Sequence, residues 1–83
     1  MKKDIYLEAF ILRGKNRKQI LECLKQGRKT QAQLHQQTKL YRTHVRRVLI
    51  ELINKKLVKC LNPKDRIYKL YELTKLGERI IDS

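Results

Sequence analysis

Apolar residues recur at two different periods along this chain of 83 residues. In NRKQILECLKQ (16–26), Ile20, Leu21 and Leu24 fall at helical spacing, and Gly27 supplies a natural C-terminal stop. A short, polar second helix is expected at about 31–38, with Ala32 and Leu34 as its apolar anchors. Its start has a mechanism: Thr30 and Gln33 form a T-x-x-Q capping box, in which hydroxyl and amide satisfy backbone N–H groups left without helical partners. Residues 38–40 must turn the chain before a third, longer helix at about 41–55. The pattern then changes to LVKCL (57–61) and IYKLYEL (67–73), two strands around the turn NPKDR (62–66). Thr74 is placed to cap a last short helix, TKLGERIID, anchored by Leu76 and Ile80. At the other end, segment 4–13 (DIYLEAFILR) is apolar on almost every side. It suits helix or strand, and its poor alternation favours a short helix.

A capped short helix, a tight turn, a longer basic helix and a β-hairpin follow one another in the winged helix-turn-helix order. The expected fold is therefore mainly α with a β-hairpin wing, a single domain over residues 1–83 with no linker or repeat. Charge sharpens that picture. The formal net charge is +13, from 21 lysines and arginines against 8 acidic residues. Self-repulsion on that scale points to a polyanionic partner, with nucleic acid ahead of an anionic membrane surface. No apolar run approaches the roughly 20 residues needed to span a bilayer. The start MKKDIYLEAFILRGK has the basic head and apolar stretch of a short signal peptide, but Asp4 and Glu8 interrupt it and no small-residue cleavage site follows. It is read as part of the fold.

Catalytic chemistry finds little support. The only serine is Ser83, the acidic residues are scattered, and there is no glycine-rich phosphate loop. His35 and His44 are too far apart for a one-turn metal pair, and Cys23 and Cys60 match no metal-ligand spacing. Both cysteines sit among aliphatic residues and are expected as reduced, packed thiols. No enzyme activity, metal or cofactor is expected.

Residues 40–52, LYRTHVRRVLIEL, carry the candidate chemistry, with no acidic residue between Glu22 and Glu51. At about 100° per residue, Tyr41, Val45, Val48, Leu49 and Leu52 share one arc, the expected core face. Thr43, Arg46, Arg47, Ile50 and Asn54 share the opposite arc, with Arg42 and His44 on the flanks. Arginine is the commonest bidentate reader of guanine, so this face suits the major groove of double-stranded DNA. Ile50 is its apolar exception, suited to a thymine methyl or to packing against the N-terminal helix or a second subunit. Lys29, Thr30 and Gln31 open the second helix, where backbone N–H groups suit a phosphate. Lys64 and Arg66, at the hairpin turn, suit the adjacent backbone or minor groove.

The segments GKNRKQILECL, RKTQAQLHQQTKL, THVRRVLIELINKKLVKCLNP and LYELTKLGERI, in that order over about residues 10–81, resemble the archaeal winged helix-turn-helix transcriptional regulators. Similar small regulators occur in viruses of archaea. The resemblance implies a sequence-specific, often dimeric DNA binder in the cytoplasm of an archaeal cell or of an archaeal virus's host. It also implies that His44, Val45 and Arg47 hold recognition-helix positions. The chain departs from that pattern at three places: Lys39 stands where glycine is usual in the turn, Tyr41 where serine or threonine is usual, and His35 where alanine is usual. A non-glycine residue in a left-handed turn costs roughly 1 kcal/mol, so an altered turn is expected at Lys39. Two other classes fit the same composition, a structured-RNA binder and a protein-interaction module. For the latter, Ile5, Tyr6, Leu7, Phe10 and Ile11 supply more apolar residues than one helix of a monomer needs, and segment 4–13 is the expected homodimer element.

Overall fold

The computed structural model describes residues 5–82. Five helices and three short strands run in the order α1 (Ile5–Leu12), α2 (Lys15–Lys25), β1 (Lys29–Thr30), α3 (Gln31–Thr38), α4 (Arg42–Asn54), β2 (Val58–Cys60), β3 (Leu70–Leu73) and α5 (Lys75–Asp82). This is the winged helix-turn-helix architecture. Ile20, Leu21 and Leu24 of α2, Leu34 of α3, and Val45, Val48, Leu49 and Leu52 of α4 are buried together with Leu57, Val58, Tyr71 and Leu73. The helical spacing of the first group puts each set on one face, and burying these faces against the sheet supplies the driving force. Segment 4–13 is helical over Ile5–Leu12 and Arg13 turns out of the helix; residues 1–4 and 83 lie outside the described residues.

The capping box forms as the sequence indicates. The Thr30 hydroxyl accepts from the Gln33 backbone N–H at 3.2 Å, and the Thr30 N–H donates to Gln33 Oε1 at 2.8 Å. Thr74 likewise caps α5, accepting from Gly77 N–H at 3.0 Å, while its hydroxyl donates to the Lys56 carbonyl at 2.7 Å.

The altered turn expected at Lys39 does not form: the left-handed end of α3 is kept despite the non-glycine residue. Lys39 takes the left-handed conformation (φ 61°, ψ 17°) that ends α3, at the cost of about 1–2 kcal/mol attached to a Cβ there. Side chains hold it in place: His35 Nδ1–H donates to the Leu40 carbonyl, and the Thr38 hydroxyl donates to the Leu34 carbonyl at 2.7 Å while accepting from Leu40 N–H at 3.3 Å. The histidine that stands where alanine is usual is thus a fastener of the turn.

Four further expectations need correction. Tyr41 is not on the core face. It precedes α4 with extended backbone (φ −59°, ψ 147°), so the helical wheel does not extend to it, and it is 75% exposed with its ring edge on His44. Ala32 does not anchor α3, because it lies two residues and therefore about 200° from Leu34, and one helix face cannot bury both. The hairpin is also shorter than the apolar runs imply. Residues 67–69 lie outside the sheet: Asp65 Oδ1 takes the Ile67 and Tyr68 N–H groups that a ladder would have used, and Asn62 Oδ1 takes that of Leu70, where β3 begins. Finally, the sheet has a third strand: β1 pairs antiparallel with β3, giving the order β1-β3-β2. Two polar residues carry no strand period, so nothing in the pattern announces it.

Candidate nucleic-acid interface

Helix α4 is positioned by its apolar face and pinned at its far end by Arg17, which donates to Glu51 Oε2 at 2.9 Å and to the Phe10 carbonyl. The Arg17 guanidinium also lies 3.8 Å from the Phe10 ring centroid, so one side chain joins α1, α2 and α4. The opposite face of α4 leaves Arg42, Thr43, Arg46 and Arg47 in solvent, with His44 half-buried against Tyr41. Among the described residues, none of these arginines is within ion-pair distance of a carboxylate.

The arginines do not all share one surface. A concave face enclosing about 380 Å³ runs between α4 and the hairpin, and Gln31, Arg46, Ile50, Arg66 and Lys69 line it, with Tyr71 and Cys60 at its base. Gln31 also donates to the Arg42 carbonyl at 3.5 Å, a long contact that ties the starts of α3 and α4. Lys29 lies opposite Tyr71 in the ladder and Cys60 lies opposite the same residue on the other side, so all three share one sheet face. Burial pushes the Tyr71 phenol above its ordinary range, and nearby Arg46 opposes that shift. Arg42, Thr43 and Arg47 continue the cationic surface beyond the concavity, and Lys64 stands exposed on the hairpin loop without lining it. The Thr30 hydroxyl is engaged by its helix cap.

Acidic groups are held elsewhere. Glu72 occupies the other sheet face, opposite Lys59 in register, and receives both Arg28 (3.4 Å) and Lys59 (3.6 Å). Exposed pairs of this kind add little stability; strand alternation is what keeps this carboxylate off the concave side.

The loop 61–69 is built rather than slack. Asn62 Nδ2 donates to the Tyr68 carbonyl and its Oδ1 accepts from Leu70 N–H, both at 2.7 Å. Asp65 Oδ1 accepts from Ile67 and Tyr68 N–H groups, both at 2.9 Å, and these bonds, that of Tyr68 foremost, hold its carboxyl below the usual range. Lys69 is the residue that sequence reasoning missed. A strand over 67–73 made it an ordinary strand position, whereas the shortened hairpin leaves it on the loop beside Arg66.

This geometry, a capped helix, a tight turn, a cationic helix and a wing behind it, is matched by known proteins. The model of the TFIIE alpha subunit family matches residues 7–76. The chain belongs to the TFIIE alpha subunit family. Among solved structures, the apo form of the C30AH42A mutant of ZitR from Lactococcus lactis is similar with a TM-score of 0.76 at 20% identity, over 93% of this chain and 60% of that one. A second structure of that mutant gives 0.75 at 21%, over 83% and 48%. The adhesin competence repressor AdcR from Streptococcus pyogenes gives 0.74 at 23%, over 94% and 60%. At these identities the likeness establishes the fold, and this TFIIE alpha-type domain spans about half to three-fifths of those chains. Among curated proteins, none matches it. No helix among the described residues is long and apolar enough to cross a membrane, and no three of their His, Cys, Asp or Glu side chains are grouped to hold a metal ion.

Proposed function

We propose that this chain is a sequence-specific, double-stranded-DNA-binding transcriptional regulator and that residues 1–83 act as its single DNA-binding domain. Helix α4 enters the major groove and the wing lies on the adjacent backbone or minor groove. The observation that carries this reading is the concave face where Arg46 of α4 meets Gln31 of α3 and Arg66 and Lys69 of the wing, with the Glu51 and Glu72 carboxylates engaged elsewhere. Arg42, Thr43, His44, Arg46 and Arg47 address the groove. Lys29 and Thr30 of β1 and Gln31 at the start of α3 address the backbone. Lys64 and Arg66 address phosphates or the minor groove from the wing. Family membership and likeness to AdcR, a repressor by name, support a place in transcription; an archaeal or archaeal-virus origin rests on the sequence resemblance alone.

The test is the salt dependence of duplex binding. Each neutralised phosphate contributes a slope of about −0.9 in log K against log salt, so six contacts give a slope near −5. A shallow slope, or a preference for A-form RNA in direct competition, would exclude the duplex-DNA reading.

The proposal includes a homodimer through α1. Of the apolar residues expected to form that face, Ile11 is buried and Leu7 and Phe10 pack on the core, so the bare face is Ile5 and Tyr6 (90% exposed) with Leu12, and residues 4–12 contain no lysine or arginine. Two copies of a +13 chain meet at least cost where charge is lowest. Sedimentation equilibrium is expected to give a dimer that Tyr6→Asp dissociates. A monomer at high concentration would contradict it.

A further inference from the structure

The wing presents an apolar pair that duplex recognition by α4 does not use. Ile67 is 79% exposed and Tyr68 71% exposed, side by side on the loop between β2 and β3. Single exposed apolar residues are ordinary, but these two are held out by a dedicated scaffold. Asp65 takes both of their N–H groups, Asn62 takes the Tyr68 carbonyl, and the same Asn62 fastens the loop to β3 through Leu70. A loop braced this way loses little further entropy when its tip enters a partner.

Charge identifies the partner. Lys64, Arg66 and Lys69 flank the pair, and the one carboxylate among them, Asp65, is turned onto the loop's own backbone. A cationic rim around an apolar tip fits a polyanion with an apolar interior, and stacked bases within a phosphate backbone are such a partner. Arg66 and Lys69 also line the concave face shared with Arg46, so the tip continues a curved cationic surface. A planar anionic membrane would meet the tip and leave that concavity empty.

We infer that Ile67 and Tyr68 form a minor-groove wedge that enters a base step of the bound duplex and kinks it. This rests on the proposal that α4 binds duplex DNA. Insertion partly unstacks one step, and the bend brings more backbone onto the wing cations. The wedge therefore adds specificity for easily kinked pyrimidine–purine steps at positions no side chain reads by hydrogen bonds.

The experiment uses the full chain and a duplex obtained by selection, end-labelled for energy transfer and carrying 2-aminopurine at the step next to the wing. The parent is expected to shorten the end-to-end distance and brighten 2-aminopurine. Ile67→Ala/Tyr68→Ala is expected to bind within roughly tenfold of the parent, about the loss of one stacking contact, and to leave the duplex straight and 2-aminopurine dark. Two results would overturn the wedge: a parent that binds without bending, or a double variant that bends as the parent does. If the parent's binding is absent, or is unchanged by Arg46→Ala, the underlying DNA reading fails and the wedge falls with it. If the double variant instead loses only binding to phosphatidylserine vesicles, or only self-association in sedimentation, the pair belongs to a membrane or to a protein interface and the wedge is wrong.

Discussion

Replacing Arg46 and Arg47 together with alanine is expected to weaken binding to a selected duplex by about a hundredfold or more, roughly 3 kcal/mol at 1.4 kcal/mol per decade. The two side chains are exposed and outside the core, so thermal stability should stay within about 0.5 kcal/mol of the parent. That contrast separates a recognition role from a structural one. A bidentate arginine–guanine pair contributes about 1–3 kcal/mol of discrimination, so most of the loss should fall on the preferred sequence. Binding to random duplex should fall much less. Lys64→Ala should behave differently, lowering affinity for preferred and random sequences alike and reducing the salt slope by about one. Fluorescence anisotropy on both duplexes at two salt concentrations reads all of these. Equal losses for preferred and random duplex in the arginine double variant would mean that Arg46 and Arg47 contact only phosphates.

Gly77→Ala is expected to destabilise the fold by about 3 kcal/mol, the upper part of the range for overpacking. A Cβ on Gly77 would stand 2.2 Å from the Leu57 carbonyl oxygen and 3.3 Å from Leu73 Cδ2. The obstacle is backbone, and it cannot swing aside as a side-chain end would. The same carbonyl accepts from Thr74 N–H at 3.0 Å, and the Thr74 hydroxyl reaches the Lys56 carbonyl next to it. Moving α5 outward to relieve the clash would break both contacts that seat its start. For a domain of this size each kcal/mol shifts Tm by about 4–8 °C, so a fall of more than 10 °C is expected by thermal unfolding. A change below 3 °C would show that α5 is not seated against Leu57.

The elements with a strong period and their own punctuation were legible in the sequence. Helix α4 runs Arg42–Asn54 against an expected 41–55, and the caps at Thr30 and Thr74 were readable because capping is local chemistry. Long-range pairing was less legible. Strand β1 exists because β3 lies beside it, and the wing loop is long because Asn62 and Asp65 reach several residues along the chain. Tyr41 shows a related limit, since a helical wheel assigns a face to a residue whose backbone is not helical. For the candidate interface, helical spacing separated Arg46 and Arg47 from the core residues. It did not reveal that Arg46 meets the wing while Arg47 stands outside that concavity, which depends on where the hairpin folds back. Ile50, expected at a thymine methyl or against the N-terminal helix or a second subunit, lines the same concavity beside Arg46, with no residue of α1 among its lining.

Amide chemical-shift mapping during titration with a selected duplex tests the assigned face without altering a residue. The shifts are expected at Lys29–Gln31, at Arg42–Arg47 and Ile50 of α4, and across 62–69 of the wing, while α1 and α5 stay in place. Shifts concentrated on α1 or α5, or none along α4, would contradict the assignment of this surface to DNA.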